Sequence, residues 1–338
     1  MALGEIFHTW AAGPRWLRGL AWAFIVLTTA SSWAQASAKP QAKPAADQDE
    51  EQKPPEPVPV RLDTRDGYRI HCLYYPPMEG IRKGTETVPI ILLHGWGGQG
   101  SEWDFLATGL QTYGHASIVP DLRGHGRSTT RRGSEGTPEP VRYEDLDAPE
   151  MDNMIEDVEA VKRHLLGRHN AGEVNIEMLT VIAAEEGCIV ALNWAALDWS
   201  WPVTPAIKQG QDVQLLVLLS PTRSFRRMNA NPALQTPAVS RQLSVLFAVG
   251  ADDRNTMNEV RRMHSRLERL RPPPHRDPEL RIRRQDLFLV TAPTSLQGTE
   301  LTGRNLPINR AIVGVIKNRL LDRRDEFPWK ERRSPLGN

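Results

Sequence analysis

Two glutamates occupy the tip of a predicted sharp turn, in the stretch VIAAEEGCIVAL at Val181–Leu192. The apolar run, the small residues and the glycine predict a buried strand that turns abruptly into a helix. A turn of this kind usually displays a catalytic nucleophile at its tip, and here Glu185 holds that position. A carboxylate there can attack a substrate directly, or it can mark a fold whose chemistry has been lost.

A second pair of carboxylates, Asp252 and Asp253, follows another predicted buried strand, VLFAVG. Together with Glu185 and Glu186 they raise the possibility of a metal site, because carboxylate oxygens bind hard cations. The spacing does not place the four side chains relative to one another, and no histidine is among them. We therefore expect no metal and no other cofactor.

The two cysteines, Cys72 and Cys188, cannot build a disulfide framework. Cys188 lies near the start of a predicted helix, where the helix dipole can activate a thiolate. It stands three residues past the tip of the turn and has no evident base. We expect two unpaired thiols that pack as small hydrophobic groups.

Two glycine-rich motifs follow further predicted buried strands. The first is HGWG at His94–Gly97, after VPIILL, and the second is DLRGHGRS at Asp121–Ser128, after ASIVP. Glycines at these points let the backbone turn sharply and leave N–H groups pointing outward. We expect His94 and His125 to hold their loops by hydrogen bonds, and Arg123 to bind a carboxylate.

From PVRLDT to NRAIVGVIKNRLL, predicted strands alternate with predicted helices, which implies a mostly parallel sheet covered on both faces. PVRLDT and YRIHCLYYPP alternate apolar and polar residues around Asp66-Gly67, which predicts an antiparallel start. Ser101 is the predicted N-cap of one helix and Pro149 the predicted start of another. The segments 127–148 and 266–284 are interpreted as charged, solvated loops. An alternative for 266–284, with its seven arginines and three acids, is contact with an anionic envelope component.

At this spacing the two glycine-rich motifs, HG-x-G and D-x-R-G-x-G-x-S, resemble those of the α/β-hydrolase superfamily, nearest to its capless serine hydrolase and peptidase branches. The resemblance implies an α/β-hydrolase fold over residues 59–325, with a mostly parallel doubly wound sheet and antiparallel leading strands. Only about 20 residues separate LLVLLSP from the next predicted strand, so no large cap domain is expected.

The resemblance also implies a triad in the order nucleophile, acid, histidine. These positions fall on Glu185, on Asp253 with Asp252 as the nearby alternative, and on Gln297. No histidine follows His275, so the base is missing. The N–H groups of Trp96 and Glu186 would form the oxyanion hole.

Two hypotheses follow for this degenerate triad. In the first, the Glu185 carboxylate fills the oxyanion hole, Gln297 bridges Asp253 and Glu185, and the protein binds a ligand or partner without catalysis. In the second, Glu185 acts unconventionally in a hydrolase, although an ester formed on it would lack a histidine to hydrolyse it. A third hypothesis is a purely structural envelope protein.

Three tryptophans lie close together at the end of a predicted helix. We expect them to pack under the following loop or to form an aromatic binding surface; they are Trp194, Trp199 and Trp201.

The N-terminal region indicates export. Arg15 and Arg18 precede the apolar run LAWAFIVLTTA, and small residues at 34–38 offer cleavage sites. We expect a signal peptide over 1–38, a proline-rich charged linker over 39–58 and a C-terminal tail over 326–338. The protein would be periplasmic or secreted, with membrane contact only through an uncleaved N-terminal segment. A net charge of +1 gives no reason to expect nucleic acid, so the predicted partner is a small molecule or an envelope component.

Overall fold

The computed structural model describes residues 53–133, 136–202, 208–303 and 306–332, without the side chain of residue 282. The predicted signal peptide, most of the predicted linker and residues 333–338 lie outside these ranges. Within them, no helix is both long and apolar enough to cross a membrane. The chain from Gln52 onward forms one folded unit.

Strands and helices alternate along most of this unit. The strands are β1 (Val58–Asp63), β2 (Tyr68–Tyr75), β3 (Pro89–Leu93), β4 (Ala116–Pro120), β5 (Thr130–Arg132), β6 (Pro138–Pro140), β7 (Leu179–Ala184), β8 (Val213–Leu219), β9 (Ser224–Phe225), β10 (Met228–Asn229), β11 (Ser244–Gly250) and β12 (Leu287–Ala292). The α-helices are α1 (Asp104–Thr112), α2 (Ala148–Asp152), α3 (Ile155–Asn170), α4 (Gly187–Asp198), α5 (Arg254–Leu270), α6 (Pro278–Arg284) and α7 (Ile308–Arg319). Shorter helical turns lie at Gly84–Glu86, Gly100–Trp103, Tyr143–Asp145, Ile176–Met178, Ala233–Gln235, Ala238–Gln242, Gly298–Thr302 and Leu321–Glu326.

Ten strands form one sheet in the order β12-β11-β8-β7-β3-β4-β2-β5-β6, with β1 also paired to β2. All neighbours from β12 to β4 are parallel, whereas the pairs that involve β1, β2, β5 and β6 are antiparallel. Residues 220–243, between β8 and β11, hold only the β9–β10 hairpin and two short helical turns. The predicted fold class is therefore confirmed, with no large cap in the described ranges.

Alternating side chains of the central strands feed two separate cores. On β3, Ile91 and Leu93 join one core with α3, α4 and α5, while Ile90 and Leu92 join the other with α1 and α7. All four are fully buried. The continuous apolar run of β3 thus reflects a strand that is covered on both faces.

Two helix starts differ from their predictions. Ser101 lies inside the turn Gly100–Trp103, and Gln99 caps that turn through a capping box with Glu102. The helix predicted to begin at Pro149 is instead broken into α2 and α3. The break lets Met154 turn into the core, where it is 2% exposed.

Both predicted charged loops contain regular structure. Segment 127–148 holds the β5–β6 hairpin, and segment 266–284 holds the end of α5 and all of α6. Asp277 caps α6 by accepting from the N–H groups of Glu279 and Leu280, at 2.8 and 3.3 Å. The loop interpretation of 266–284 is wrong because a seven-residue helix is too short to show a clear apolar period.

Residues 327–332 of the predicted tail are bound to the folded unit. Trp329 Nε1 donates to the backbone oxygen of His169 at 3.1 Å. The Arg332 guanidinium pairs with Asp212, which is 1% exposed. The chain therefore uses this segment to place a cation beside a buried carboxylate.

Candidate functional site

The candidate residues meet at one edge of the sheet, because each follows the carboxyl end of a neighbouring parallel strand. Trp96 follows β3, Glu185 and Glu186 follow β7, Asp253 follows β11 and Gln297 follows β12. Ligand sites of open α/β sheets form at this edge. The sequence prediction thus brings the right segments together, and their contacts decide the chemistry.

The turn at Glu185 has the sharp geometry that the sequence predicts. Its φ is 50°, in the left-handed region, which costs a non-glycine residue roughly 1–2 kcal/mol. A Cβ on Gly187 would lie 2.3 Å from the backbone oxygen of His94. Only glycine therefore fits where α4 begins against the loop after β3, and this close packing holds the strained turn in place.

The Glu185 side chain fills the space between two glycines. A Cβ on Gly95 would lie 2.7 Å from Glu185 Oε2, and one on Gly298 would lie 2.8 Å from Glu185 Cδ. Burial raises the pKa of Glu185, and three neighbouring carboxylates raise it further. These carboxylates belong to Glu186, Glu102 and Glu300.

Glu185→Gln is expected to stabilise the protein at neutral pH. The folded-state pKa of Glu185 lies above the ordinary value of 4.5, so its ionisation destabilises the fold as the pH rises from the unfolded-state pKa through the folded-state pKa. The gain over wild type is expected to be on the order of 1.4 kcal/mol for each pKa unit by which the two states differ. It should vanish below about pH 4.

Urea unfolding at acidic and neutral pH measures this difference. Glu79→Gln is the control, because Glu79 is exposed and a surface substitution away from partners changes stability by about 0.5 kcal/mol or less. A Glu185→Gln protein that is less stable than wild type at neutral pH would contradict the assignment.

One of the two predicted oxyanion donors is already occupied. The N–H of Trp96 donates to Glu186 Oε2 at 3.0 Å. The hypothesis that the Glu185 carboxylate occupies this donor of the predicted oxyanion hole therefore names the wrong glutamate. The left-handed turn directs the Glu185 side chain between Gly95 and Gly298 instead. The next residue supplies the carboxylate instead.

Asp253, at the predicted acid position, caps α5. Its side chain accepts from Thr256 Oγ1 at 2.6 Å and from the N–H groups of Asn255 and Thr256 at 3.0 and 3.4 Å. The Thr256 hydroxyl and these N–H groups hold the pKa of Asp253 below its usual range. Asp252, the alternative acid, is exposed to solvent. The acid position thus serves a helix terminus.

Gln297, at the predicted histidine position, braces two loops. Its Oε1 accepts from Ser220 Oγ at 2.5 Å and from Gly250 N at 3.3 Å, and its Nε2 donates to Gly250 O at 3.2 Å. Ser220 Oγ also accepts from the N–H that follows Gln297, at 3.0 Å. The predicted bridge between Asp253 and Glu185 is therefore not formed, because both ends of the amide are engaged elsewhere.

The two histidines of the glycine-rich motifs hold loops, as predicted. His94 Nδ1 donates to Gly95 O at 2.7 Å, and its Nε2 accepts from Leu122 N at 3.0 Å. His125 Nδ1 donates to Arg123 O at 2.9 Å, while its buried Nε2 has no partner in the described part of the chain. Burial, with the neighbouring His94, lowers the pKa of His125 to about 4.

An aromatic cluster that sequence reasoning missed surrounds Trp96. The ring centroids of Tyr143, His125 and Phe225 lie 5.5, 5.2 and 5.3 Å from that of Trp96. The Arg226 guanidinium lies 4.8 Å from the centre of the Trp96 ring. Only a contact map could have shown this cluster, because its members come from four separate loops.

The cavity at the predicted oxyanion hole is small. The cavity that Trp96, His125 and Glu186 help to line has a volume of about 10 Å³, which is room for at most one water. A cavity of about 420 Å³ lies against the loop that follows Trp96, and Glu102 and Tyr143 are among its lining residues. A ligand larger than water therefore has space only beside the hole.

The remaining candidates are structural where they are buried. Cys72 and Cys188 are buried free thiols, as predicted, and burial raises the pKa of both. Trp194 is fully buried, whereas Trp201 is 41% exposed. In the described ranges, no group of three or more His, Cys, Asp or Glu side chains is arranged to hold a metal ion.

In the comparison by sequence, residues 88–171 match a family model described as alpha/beta hydrolase fold. This match covers β3 to the end of α3, which includes both glycine-rich motifs. The chain has no match among curated proteins.

Comparison by structure extends the likeness to about four fifths of the chain. An esterase from Pyrococcus furiosus has a TM-score of 0.53 and 14% identity, over 79% of this chain and 91% of its own. A dienelactone hydrolase from Anabaena variabilis has 0.50 and 15%, over 79% and 98%. An esterase from Rhizomucor miehei has 0.53 and 13%, over 81% and 87%. Together with the sheet order, these likenesses show that the chain has the α/β-hydrolase fold.

Proposed function

We propose that this protein is an exported, non-catalytic member of the α/β-hydrolase fold that binds a ligand or a partner. The observation that carries the proposal is the hydrogen bond from Trp96 N–H to the Glu186 carboxylate, at 3.0 Å. Ester and amide hydrolysis on this fold needs a free donor there for the developing oxyanion. A carboxylate in that position both occupies the donor and repels a second negative charge.

The residues at the triad positions cannot relay a proton. Gln297 has an amide, which neither takes up nor releases a proton near neutral pH, and Ser220 and Gly250 hold it in place. Asp253 is engaged at the start of α5. Glu185 therefore has no partner that could activate a water or a substrate hydroxyl through this triad.

His125 helps to line the small cavity beside Glu186, and its buried Nε2 has no hydrogen-bond partner in the described part of the chain. A general base works best with a pKa near the operating pH. The pKa of His125 is lowered to about 4, so it is a weak base at neutral pH. This argues against a rearranged catalytic pair.

The alternative function, a hydrolase that uses Glu185 unconventionally, is favoured by one observation. Glu185 combines a strained φ with a raised pKa, and both features are typical of functional sites. Attack of its carboxylate on a bromoalkane would form an alkyl ester and release bromide. Without a histidine to hydrolyse it, the ester would accumulate on the protein.

Intact-mass analysis after incubation with a bromoalkane separates the two functions. We expect no adduct on the wild-type protein beyond that on Glu185→Gln. One alkyl group added to the wild type but absent from Glu185→Gln would establish Glu185 as a nucleophile and would overturn the non-catalytic proposal.

The binding role would use the 420 Å³ cavity, because Glu186 occupies the Trp96 donor and the cavity at the predicted hole measures only about 10 Å³. Glu102 lines it, and the hydroxyl of Thr299 donates to Glu102 Oε2 at 3.0 Å. A thermal-shift screen of polar metabolites, run on wild type and Glu102→Gln, tests this role. Compounds that stabilise only the wild type support it, whereas identical shifts for every compound in both proteins contradict it.

Export is part of the proposal and rests on the N-terminal sequence alone. If the segment up to residue 38 is a signal peptide, the protein recovered from the periplasm or the medium begins at residue 37 or 39. N-terminal sequencing of that material checks this. An intact N-terminus on membrane-bound protein would indicate an anchor instead.

A further inference from the structure

A second large cavity in the described part of the chain lies at the opposite edge of the sheet from the candidate site. Its volume is about 780 Å³, within the range of small-molecule pockets. The residues that line it include Gln214 and Ser244, at the amino ends of β8 and β11, and residues of α6 and the end of α7. It is therefore separate from the site around Glu185.

Every acid that lines this cavity already has a cation of its own. Asp286 pairs with Arg271 at 2.7 Å, Asp322 with Lys317 at 2.7 Å, and Glu326 with Arg323. Within each pair, the positive charge neutralises the negative charge locally. Asp286 and Glu326 also act on Arg319, and Glu326 acts on Arg283, but the closest cations of these acids are their own partners.

Arg319 lines the cavity and has no carboxylate partner in the described ranges. It is 6% exposed, and its guanidinium donates to Ser244 Oγ at 3.0 Å and to the Arg283 backbone oxygen at 2.7 Å. Burial, followed by the charge of Arg323, lowers the pKa of Arg319 to about 10. It stays protonated at neutral pH, so this buried positive charge is balanced only by the more distant charges of Asp286 and Glu326.

Two further arginines of the cavity wall, Arg283 and Arg284, lie on α6 and are exposed. Neither forms an ion pair with a carboxylate in the described ranges, although the charge of Glu326 acts on Arg283. Three arginines that line one cavity, Arg283, Arg284 and Arg319, thus have no directly paired carboxylate. Guanidinium forks match the oxygen geometry of phosphate, and several of them together suit a multiply charged anion.

We propose that this cavity binds the phosphate group of a phosphorylated ligand, held by Arg319, Arg283 and Arg284. The cavity exceeds what phosphate alone needs, so the rest of the ligand occupies the remaining space. Either a soluble phosphate monoester or the headgroup of an anionic phospholipid carries this chemistry. The proposal is independent of the function proposed for the Glu185 site.

Calorimetric titration of the full-length protein with inorganic phosphate, in a chloride buffer of constant ionic strength, tests the proposal. We expect saturable binding to wild type that weakens by about tenfold or more in Arg283→Gln/Arg284→Gln and in Arg319→Gln, since charged hydrogen bonds to phosphate are lost. Arg281→Gln is the matched control, because Arg281 also lies on α6 but not on the cavity wall. Its affinity should equal that of wild type.

The double variant Arg283→Gln/Arg284→Gln still tests the proposal if Arg319→Gln does not fold. Arg283 and Arg284 make no side-chain hydrogen bonds in the described ranges, so we expect the double variant to fold. Co-sedimentation with phosphatidic acid vesicles, against phosphatidylcholine vesicles, separates the two sources. Binding to these vesicles that the double variant loses indicates a lipid headgroup, and phosphate binding without vesicle binding indicates a soluble ligand. No saturable binding in either assay, or equal binding by wild type and the double variant, would overturn the proposal.

Discussion

Replacing Arg123 by methionine is expected to lower the free energy of unfolding by about 3–5 kcal/mol, because it leaves a buried carboxylate without its cation. Arg123 and Asp157 are both fully buried. Asp157 accepts from the N–H, Nε and Nη2 of Arg123 at 2.9, 2.9 and 2.7 Å. A second ion pair joins Arg123 to Asp66 at 2.6 Å.

Denaturant unfolding with an unchanged m-value measures this loss. Arg142→Met is the control, because the Arg142–Glu144 pair is exposed and such pairs contribute about 0–1 kcal/mol. Asp157→Leu added to Arg123→Met should recover part of the stability, since it removes the orphaned charge. If Arg123→Met alone lowered the free energy of unfolding by less than about 1 kcal/mol, the Arg123–Asp157 pair would not stabilise the loop after β4.

Lys162→Met is expected to have the second large effect, a loss of about 3 kcal/mol. The Lys162 ammonium lies 3.0 Å from Asp198 and 2.9 Å from Asp212, and all three side chains are 5% exposed or less. Burial alone would lower the pKa of Lys162, but these carboxylates raise it above the ordinary 10.5. The stabilisation is therefore complete below pH 10.5 and is lost only as the pH rises through the folded-state pKa.

Thermal and urea unfolding at neutral pH check this prediction, with Lys317→Met as the control. Lys317 pairs with Asp322, but both are largely exposed, so its removal should change stability by less than about 1 kcal/mol. Equal losses for the two variants would mean that the buried ion pairs of Lys162 stabilise the protein no more than the exposed Lys317–Asp322 pair does. Arg332, which also pairs with Asp212, joins the C-terminal segment to the same network.

The sequence predicts the fold and the residues of the structural motifs well, because the features that specify them lie close together in the chain. Glycines after buried strands, a charged residue beside them and a strand–turn–helix pattern specify their own surroundings. Arg123 binds a carboxylate, His94 bonds its loop, and Glu185 lies at the tip of a sharp turn, all as expected. The turn at Glu185 needs only the adjoining strand and helix, whereas the partner of Arg123, Asp157, comes from α3 and was not named in advance.

The contacts at the site could not be predicted in the same way, because they depend on which of two adjacent side chains faces a given loop. Glu185 and Glu186 are chemically identical, and only the backbone angles decide that Glu186 reaches Trp96. The partner of Gln297 was missed for a similar reason. Ser220 lies 77 positions away in the chain, and nothing in its own segment signals the contact.

The structure gives a stabilising or space-filling role to each position at which the family resemblance predicts a triad, and to Glu186 beside them. Asp253 caps α5, Gln297 braces the loops after β8 and β11, and Glu186 satisfies Trp96 N–H. Glu185 alone remains unfavourable, with a strained φ and a crowded carboxylate. It is therefore the residue on which any residual chemistry would depend, and the one whose removal is most informative.

The most direct test of the non-catalytic assignment is turnover of activated aryl esters and haloalkanes by the wild-type protein and by Glu185→Ala. We expect both proteins to match the buffer rate for every substrate, because Glu186 occupies the Trp96 donor of the predicted oxyanion hole and neither Asp253 nor Gln297 is hydrogen-bonded to Glu185. Turnover by wild type that Glu185→Ala abolishes would contradict the account and would make this glutamate a catalytic residue.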